Sequence, residues 1–146
     1  SGKAVILMQH GLLDSSDGWI LNEEHLAPGL ILANLGHDLW FGNSRGNKYS
    51  INHTRYNPAN TPEYWEFSWM HMADFDLPAV FSYIAQLTGQ KINYIGHSQG
   101  TTQMFAHLAN PSGKDKAITD NLRKFAALGP PTYMAHVGSK LLVGLD

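Results

Sequence analysis

The pentapeptide GHSQG at residues 96–100 is the feature of the chain that most directly proposes a chemistry. It matches the G-x-S-x-G nucleophile elbow, in which a sharp turn between a strand and a helix presents a serine hydroxyl. The two glycines leave space for a turn so tight that the serine adopts a strained backbone conformation at the start of the helix. Ser98 is therefore the candidate nucleophile for attack on a carbonyl carbon.

A second segment offers backbone N–H groups for the same reaction. Residues 4–8 form an apolar run that is typical of a buried parallel strand, and the segment QHGLL follows at residues 9–13. Where a nucleophile elbow is present, one oxyanion-hole N–H comes from the residue after the nucleophile and the other from a loop after an earlier strand. The predicted donors are the backbone amides of Leu12 and Gln99.

The elements that must position these residues alternate between strands and helices. Periodicity and turn residues predict strands at 4–8, 37–42, 91–95 and 125–131, and helices at 23–35, 62–89 and 101–109. Pro78 marks a kink or a break in the second helix, and the inward side chains of the last helix are predicted to be Met104, Phe105 and Leu108. Such alternation predicts an α/β fold with a parallel sheet and helices on both faces.

Composition narrows the class of protein. The chain has 146 residues, of which 43% are hydrophobic and 15% charged, so it can bury one core, and this balance argues against disorder and against nucleic-acid binding. The absence of cysteine excludes disulfides, zinc thiolates and thiol catalysis, and no histidine pair has the helical spacing of a metal site, so no metal is predicted. Asn52 begins the sequon Asn-His-Thr and is a candidate for N-glycosylation.

Longer blocks of sequence carry a family resemblance. In chain order they are QHGLL at residues 9–13, WFGNSRGN at 40–47, DLPA at 76–79, TGQK at 88–91 and GHSQGTT at 96–102. Together they resemble the acid lipase family of gastric and lysosomal lipases over most of the chain. The resemblance implies an α/β-hydrolase core that hydrolyses triacylglycerols or cholesteryl esters through a Ser98 acyl-enzyme. It also implies no cofactor, and residence in a lysosome or outside the cell.

The chain departs from this family in length, because family members are much longer and place the catalytic acid and base after the serine. The acids and imidazoles that follow Ser98 here are Asp115, Asp120, Asp146, His107 and His136. We expect residues 1–146 to be a single partial core domain without the first strands, the lipid-binding cap and the Asp/His segment. The isolated chain should then be nearly inactive, and the remaining part of the same protein should act as its partner. Of the residues present, His136 is a weak candidate for a substitute base.

Other interpretations remain open at this stage. A lipase-like chain without a general base could bind or store lipid without cleaving it, and another α/β-hydrolase reaction such as that of a thioesterase or acyltransferase is the further alternative. Structural roles are predicted for the remaining candidates. His10 braces the loop that carries the Leu12 amide, Asp14 and Asp17 serve a turn and a helix cap, and Arg45 anchors a loop. His107 is a helix residue too far along the axis to reach Ser98.

Overall fold

The fold is a parallel β-sheet flanked by helices, seen in a computed structural model that describes residues 3–110, 116–133 and 138. Within these residues the sheet has four strands in the order β2-β1-β3-β4, and every neighbouring pair is parallel. The strands are β1 (Val5–Gln9), β2 (Asp38–Gly42), β3 (Ile92–His97) and β4 (Leu122–Leu128). The predicted α/β class and parallel sheet are therefore confirmed.

Helical segments connect the strands. The α-helices are α1 (Pro28–Asn34), α2 (Trp69–His71), α3 (Leu77–Thr88), α4 (Gln99–Ala109) and α5 (Ala117–Asn121). Two short 3-10 turns lie at Ser16–Trp19 and Pro62–Trp65, and a π-helical turn at Met72–Asp76 runs directly into α3. None of the helices in the described ranges is long and apolar enough to span a bilayer.

The core lies on both faces of the sheet because successive side chains of β1 point in opposite directions. On one face Val5 and Leu7 pack against residues of α3, α4 and α5, including Phe81, Met104 and Ile118. On the other face Ile6 and Met8 pack with Trp19, and the partly buried Leu32 of α1 covers them. Burying side chains of this size stabilises the fold by about 1.5–3 kcal/mol each. Helices cover both faces, as predicted.

The first predicted helix, 23–35, is too long at its N-terminal end. The helix begins at Pro28, and Ala27 before it is extended with a ψ of 113°. A proline disfavours the helical conformation in the preceding residue and suits the first helical position, so the apolar pattern before it does not continue the helix. The predicted stop is confirmed, because Gly36 has a φ of 83° just after the helix.

The second predicted helix, 62–89, is divided into four segments. The Leu77 N–H bonds to the Met72 carbonyl, which is the π-helical spacing, and Pro78 lies in the first turn of α3. Because proline has no N–H to give to the preceding turn, the hydrogen-bond pattern changes where its donor is missing. The break predicted at Pro78 is therefore found just before it.

Two expectations about the last elements are wrong. On α4, Met104 is fully buried, but Phe105 and Leu108 are 39% and 43% exposed. The buried face of α4 instead includes the polar residues Gln103 and His107, which an apolar pattern does not identify. The strand predicted at 125–131 lies at Leu122–Leu128, preceded by the unpredicted helix α5.

Candidate active site

Ser98 alone joins β3 to α4, in a conformation that few residues tolerate. Strand β3 ends at His97, α4 begins at Gln99, and Ser98 between them has φ 49° and ψ −117°. A non-glycine residue in this region costs about 1–3 kcal/mol and persists only where the surroundings fix it. The strained strand-to-helix turn predicted from the pentapeptide is thus present.

Close backbone contacts explain both glycines of the motif. A Cβ atom on Gly96 would lie 2.9 Å from backbone atoms of Gly100 and Thr101. A Cβ atom on Gly100 would lie 2.7 Å from the Gln9 carbonyl oxygen and 2.9 Å from that of His10. Because these neighbours are backbone, no side-chain movement could relieve the overlap. The pattern G-x-S-x-G is therefore a packing requirement of the turn.

Hydrogen bonds from three directions hold the turn. The Ser98 N–H donates to the Leu128 carbonyl at the end of β4 at 2.9 Å, and the Thr101 hydroxyl donates to the Ser98 carbonyl at 2.6 Å. The Tyr94 hydroxyl donates to the Gly100 carbonyl at 2.7 Å. Complete burial raises the pKa of Tyr94 well above its usual value of 10.0, so the phenol remains a donor at neutral pH.

The Ser98 hydroxyl makes no hydrogen bond to any residue that the structure describes. The His97 ring is exposed and meets the Trp19 ring edge-on, with the centroids 6.4 Å apart. His107 is buried, and its Nδ1 bonds to the Ala73 carbonyl at 3.0 Å, which is a structural role as predicted. Among these residues the serine therefore has no general base.

The loop after β1 lies directly against the serine. Gln9 pairs with Gly96 across the parallel strands, so the two chain segments leave the sheet side by side at the carboxyl edge. A Cβ atom on Gly11 would lie only 3.0 Å from the Ser98 Cβ. Leu12 is 42% exposed, and Leu13 takes the left-handed conformation with φ 58°. We call residues 10–16 the oxyanion loop from here on.

The structure brings the two predicted amide donors to one cavity. Leu12 and Gln99 both line a cavity of about 600 Å³ between the oxyanion loop and residues 44–48. Gln99 is the first residue of α4, so its N–H is one of the helix N-terminal donors that no helical carbonyl satisfies. Ser98 is not among the described residues that line this cavity, although it precedes Gln99 directly.

The cations that line this cavity are paired with carboxylates. Arg45 forms an ion pair with Asp76, which agrees with its predicted anchoring role. The Lys48 ammonium pairs with Asp17, and the Tyr49 hydroxyl donates to the same carboxylate at 2.8 Å. The hydrogen bond from Lys48 lowers the pKa of Asp17 below its usual value of 3.8. The described residues that line the cavity therefore offer no unpaired Arg or Lys to an anionic ligand.

The remaining predicted residues are not drawn together. Asn52 is exposed on the irregular segment after β2, and Asp14 bonds to the Ser15 N–H at 2.7 Å, while Ser15 caps the first 3-10 turn. In the described ranges no three His, Cys, Asp or Glu side chains are arranged to hold a metal ion. Of the other acids and imidazoles considered after Ser98, Asp120 is exposed on α5. The remaining three, Asp115, His136 and Asp146, lie outside the described residues.

Sequence reasoning missed the polar side chains under the oxyanion loop. Ser44 is buried, and its hydroxyl accepts from Gln9 at 3.0 Å, while Asn43 and Asn47 contact the loop itself. These residues belong to a run of turn formers that follows β2 at the carboxyl edge of the sheet. Ligands bind at this edge in open α/β sheets, so the position of the run directly after β2 is the signal from which a role near the site could have been predicted.

Comparison with known proteins agrees with this geometry. Residues 4–144 match the family described as alpha/beta hydrolase fold. The chain is 43% identical to lipase member K of Mus musculus and 45% identical to gastric triacylglycerol lipase of the same species, over 95% and 94% of its own length. It spans only about a third of these relatives, 34% in each case.

A solved structure shares the fold at lower sequence identity. The mature form of the Bacillus licheniformis lipase BlEst2 superposes with a TM-score of 0.57 at 20% identity, covering 88% of this chain and 41% of the other. Fold, family match and relatives agree with one another and with the sequence resemblance. The chain therefore belongs to the α/β-hydrolase fold family, and the relatives that it resembles over most of its own length are lipases.

Proposed function

We propose that this chain carries the nucleophile and the oxyanion hole of a serine ester hydrolase that acts on neutral lipid esters, triacylglycerols or cholesteryl esters. The observation that carries the proposal is the strained turn of Ser98, packed against Gly11 of the oxyanion loop. Strained backbone conformations of this kind cluster at active sites. The names of the lipase relatives support the substrate class.

In the proposed reaction the Ser98 oxygen attacks the ester carbonyl carbon while a base removes the hydroxyl proton. The carbonyl π electrons move to its oxygen, which accepts hydrogen bonds from the Leu12 and Gln99 N–H groups. Collapse of the tetrahedral intermediate expels the alcohol, which receives the proton, and leaves the acyl group on Ser98. Water then attacks the acyl-enzyme in the same way, releasing the fatty acid and restoring the serine.

The base and its acid belong, in this proposal, to a part of the protein outside these 146 residues. Serine is a poor nucleophile without a base, and triad members act as a unit, so the isolated chain should be nearly inactive. We therefore propose that the chain is one partial core domain, and that the rest of the polypeptide adds the triad acid and base and a cap that contacts lipid. This fits the third of the relatives' length that it spans.

The proposed substrate is uncharged, which agrees with the paired cations of the cavity. Secretion or lysosomal residence is the proposed location, and the exposed sequon at Asn52 is its proposed glycosylation site. Digestion of the secreted protein with an N-glycosidase should reduce its apparent mass, and Asn52→Gln should abolish that change. An unchanged mass after digestion would remove this part of the proposal.

The test uses a fluorophosphonate probe, which reacts covalently with activated serines. The chain is compared with a hybrid in which it replaces the matching third of mouse gastric triacylglycerol lipase. We expect strong labelling and triolein hydrolysis in the hybrid, weak labelling in the isolated chain, and neither in the Ser98→Ala hybrid. Ser82→Ala, which changes an exposed serine on α3 away from the cavity, is the matched control and should leave labelling in place.

A folded hybrid that binds triolein but is not labelled would instead favour a lipid-binding protein without catalysis. A hybrid that hydrolyses acyl thioesters but not triolein would favour the thioesterase interpretation. Circular dichroism and a cooperative thermal transition establish that the hybrid is folded before either comparison is made.

A further inference from the structure

The imidazole of His10 lies at the centre of a directional hydrogen-bond network beneath the oxyanion loop. Its ring is buried, with 3% of the residue exposed, and both nitrogens are bonded. Nδ1 lies 2.7 Å from the Gly11 carbonyl oxygen, and Nε2 lies 3.1 Å from the Ser44 backbone nitrogen and 3.1 Å from the Asn47 Nδ2. These contacts fix where the ring carries its proton.

A carbonyl oxygen can only accept, and a backbone N–H can only donate. Nδ1 must therefore carry the hydrogen that bonds to Gly11, and Nε2 must present its lone pair to Ser44. The ring is thus the neutral Nδ1–H tautomer. Asn47 donates to the same Nε2 lone pair, so its amide supports this tautomer and opposes a proton on Nε2.

The orientation of the Asn47 amide is fixed independently of His10. Its Oδ1 accepts from the backbone N–H groups of Tyr49 and Ser50, each at 3.0 Å, so the nitrogen must face His10. The second hydrogen of this Nδ2 goes to Asn43 Oδ1 at 2.8 Å. No rotation of the amide by 180° could satisfy the same partners.

Asn43 extends the network to the other end of the oxyanion loop. Its Oδ1 accepts from the Ser16 backbone N–H at 3.0 Å, and its Nδ2 donates to the Ser16 hydroxyl at 3.1 Å. The Asn47 side chain therefore contacts the first residue of the loop directly and the last residue through Asn43. The Asn47 amide can therefore hold the two ends of the loop at a fixed distance from each other.

The Gly11 carbonyl and the Leu12 N–H belong to the same planar peptide group. When the His10 Nδ1–H binds the carbonyl oxygen, it fixes the direction of the N–H on the opposite side of that plane. Successive hydrogen bonds also polarise one another, so a bonded carbonyl makes its own N–H a better donor. The chain of bonds from Asn47 through His10 thus ends on the amide proposed to stabilise the oxyanion.

From this arrangement we infer that Asn47 is a positioning residue for the oxyanion hole, acting through the His10 tautomer on the Leu12 N–H. The inference rests on the proposed function, since it assigns Asn47 to the same site. Asn47 contacts no reacting atom in this role. It affects the transition state, in which the oxyanion exists, more than the bound substrate.

The first test measures the tautomer in the chain itself. Long-range proton–nitrogen correlation spectra distinguish an imidazole nitrogen that carries hydrogen from one that does not. We expect His10 Nδ1 to be protonated and Nε2 unprotonated in the wild type. In Asn47→Asp, a carboxylate oxygen replaces one of the two donors to Nε2, so the proton should move in part from Nδ1 to Nε2 and weaken the bond to the Gly11 carbonyl, in competition with the Ser44 N–H that still donates to Nε2. A wild-type His10 with its proton on Nε2 would overturn the inference without any variant.

The second test measures kinetics in the hybrid with the mouse lipase on a short soluble ester. Asn47→Asp should lower kcat by about tenfold or more with little change in KM, a smaller loss than the 10²–10³-fold typical of removing a donor outright. Asn60→Asp is the matched control, because Asn60 is exposed and its amide nitrogen bonds to nothing in the described residues. This control should leave the kinetic constants and the protonation of the two His10 nitrogens unchanged.

The outcomes separate the two proposals. If Ser98→Ala fails to reduce hydrolysis, the proposed function is wrong, whereas the spectra still decide whether Asn47 sets the tautomer. If Ser98→Ala abolishes hydrolysis but Asn47→Asp keeps the wild-type kcat, the function stands and the role of Asn47 is overturned, whatever the tautomer. Should the Asn47→Asp hybrid fail to fold, Asn43→Asp tests the same network from its Ser16 end by the same two readouts.

Discussion

Arg45 and Asp76 connect the loop after β2 to the π-helical turn that precedes α3. The Arg45 Nε donates to the two carboxylate oxygens of Asp76 at 2.9 and 3.1 Å, and the Arg45 backbone N–H donates to the same carboxylate at 3.3 Å. The guanidinium carbon also lies 5.8 Å from the Phe67 ring and 5.9 Å from the Phe75 ring. Because Arg45 lines the cavity, its ion pair with Asp76 connects the wall of the cavity to the π-helical turn before α3.

Replacing Arg45 by lysine should therefore destabilise the chain although it keeps the charge. Lysine lacks the planar fork that bonds to both carboxylate oxygens, and it cannot stack its head group between aromatic rings in the same way. The two side chains are only 32% and 25% exposed, so we expect a loss of about 1 kcal/mol in the free energy of unfolding in urea. The exposed Arg55→Lys is the control, and equal losses in both variants would contradict the role of the fork.

Gly100→Ala should be among the most damaging single-methyl additions in the chain. The new Cβ would meet the carbonyl oxygens of Gln9 and His10 at 2.7 and 2.9 Å, so β1 and α4 would have to separate. Overpacking of this kind costs about 1–3 kcal/mol or more, and here it also displaces the oxyanion loop. Thermal unfolding measures the first effect and fluorophosphonate labelling of the hybrid the second.

Gly138→Ala is the matched control for this prediction, since a Cβ there meets no atom of the described residues within 4 Å. It should change neither the unfolding midpoint nor the labelling. A Gly100→Ala protein as stable and as reactive as Gly138→Ala would mean that the close approach of α4 to β1 is not required.

The sequence predicted the sheet and the elbow because their signals are local. The apolar run of β1 and the fixed glycines around Ser98 reflect burial and backbone clearance, and both are visible in a few consecutive residues. The start of β4 was missed because Arg123 and Lys124 interrupt the apolar pattern. At the edge of the described sheet these two side chains remain exposed, so the strand tolerates them.

The support of the candidate site was harder to predict because its contacts join distant segments. Asn47 lies 37 residues from His10 along the chain, and Gln103 lies 59 residues from Ser44. Turn-forming asparagines are common, so nothing in the local pattern distinguishes one that bonds to an imidazole from one that only forms a turn. Only the parallel pairing of β1 with β2 brings the two loops together.

Asp17 predicts a specific dependence of stability on pH. Its pKa is lowered in the folded chain, chiefly by the hydrogen bond from Lys48, so its interaction stabilises the fold above the usual value of 3.8 and is lost as pH falls through the lower folded value. At pH 6, Asp17→Asn should therefore unfold at a lower temperature than the wild type. The difference in unfolding temperature between Asp17→Asn and the wild type should decrease as the pH is lowered below 3.8.

The control for Asp17 is Asp120→Asn, an exposed carboxylate whose side chain has no partner among the described residues. Its unfolding temperature should follow that of the wild type at every pH. An Asp17→Asn difference that stays constant from pH 6 to pH 3 would show that the side-chain shape of Asp17, rather than its charge, is what stabilises the loop.

Ser98→Gly should make the protein more stable while removing its reactivity. Glycine adopts the φ of 49° and ψ of −117° without the strain of a side chain, which at such positions is about 1–3 kcal/mol. The greater freedom of glycine in the unfolded chain offsets about 0.5–1 kcal/mol of this gain. Ser98→Ala keeps the Cβ and should therefore remain close to the wild type in urea unfolding, although neither variant can be labelled. If Ser98→Gly is instead less stable than Ser98→Ala, the turn stores no strain, and the position of the serine would have to be explained by packing alone.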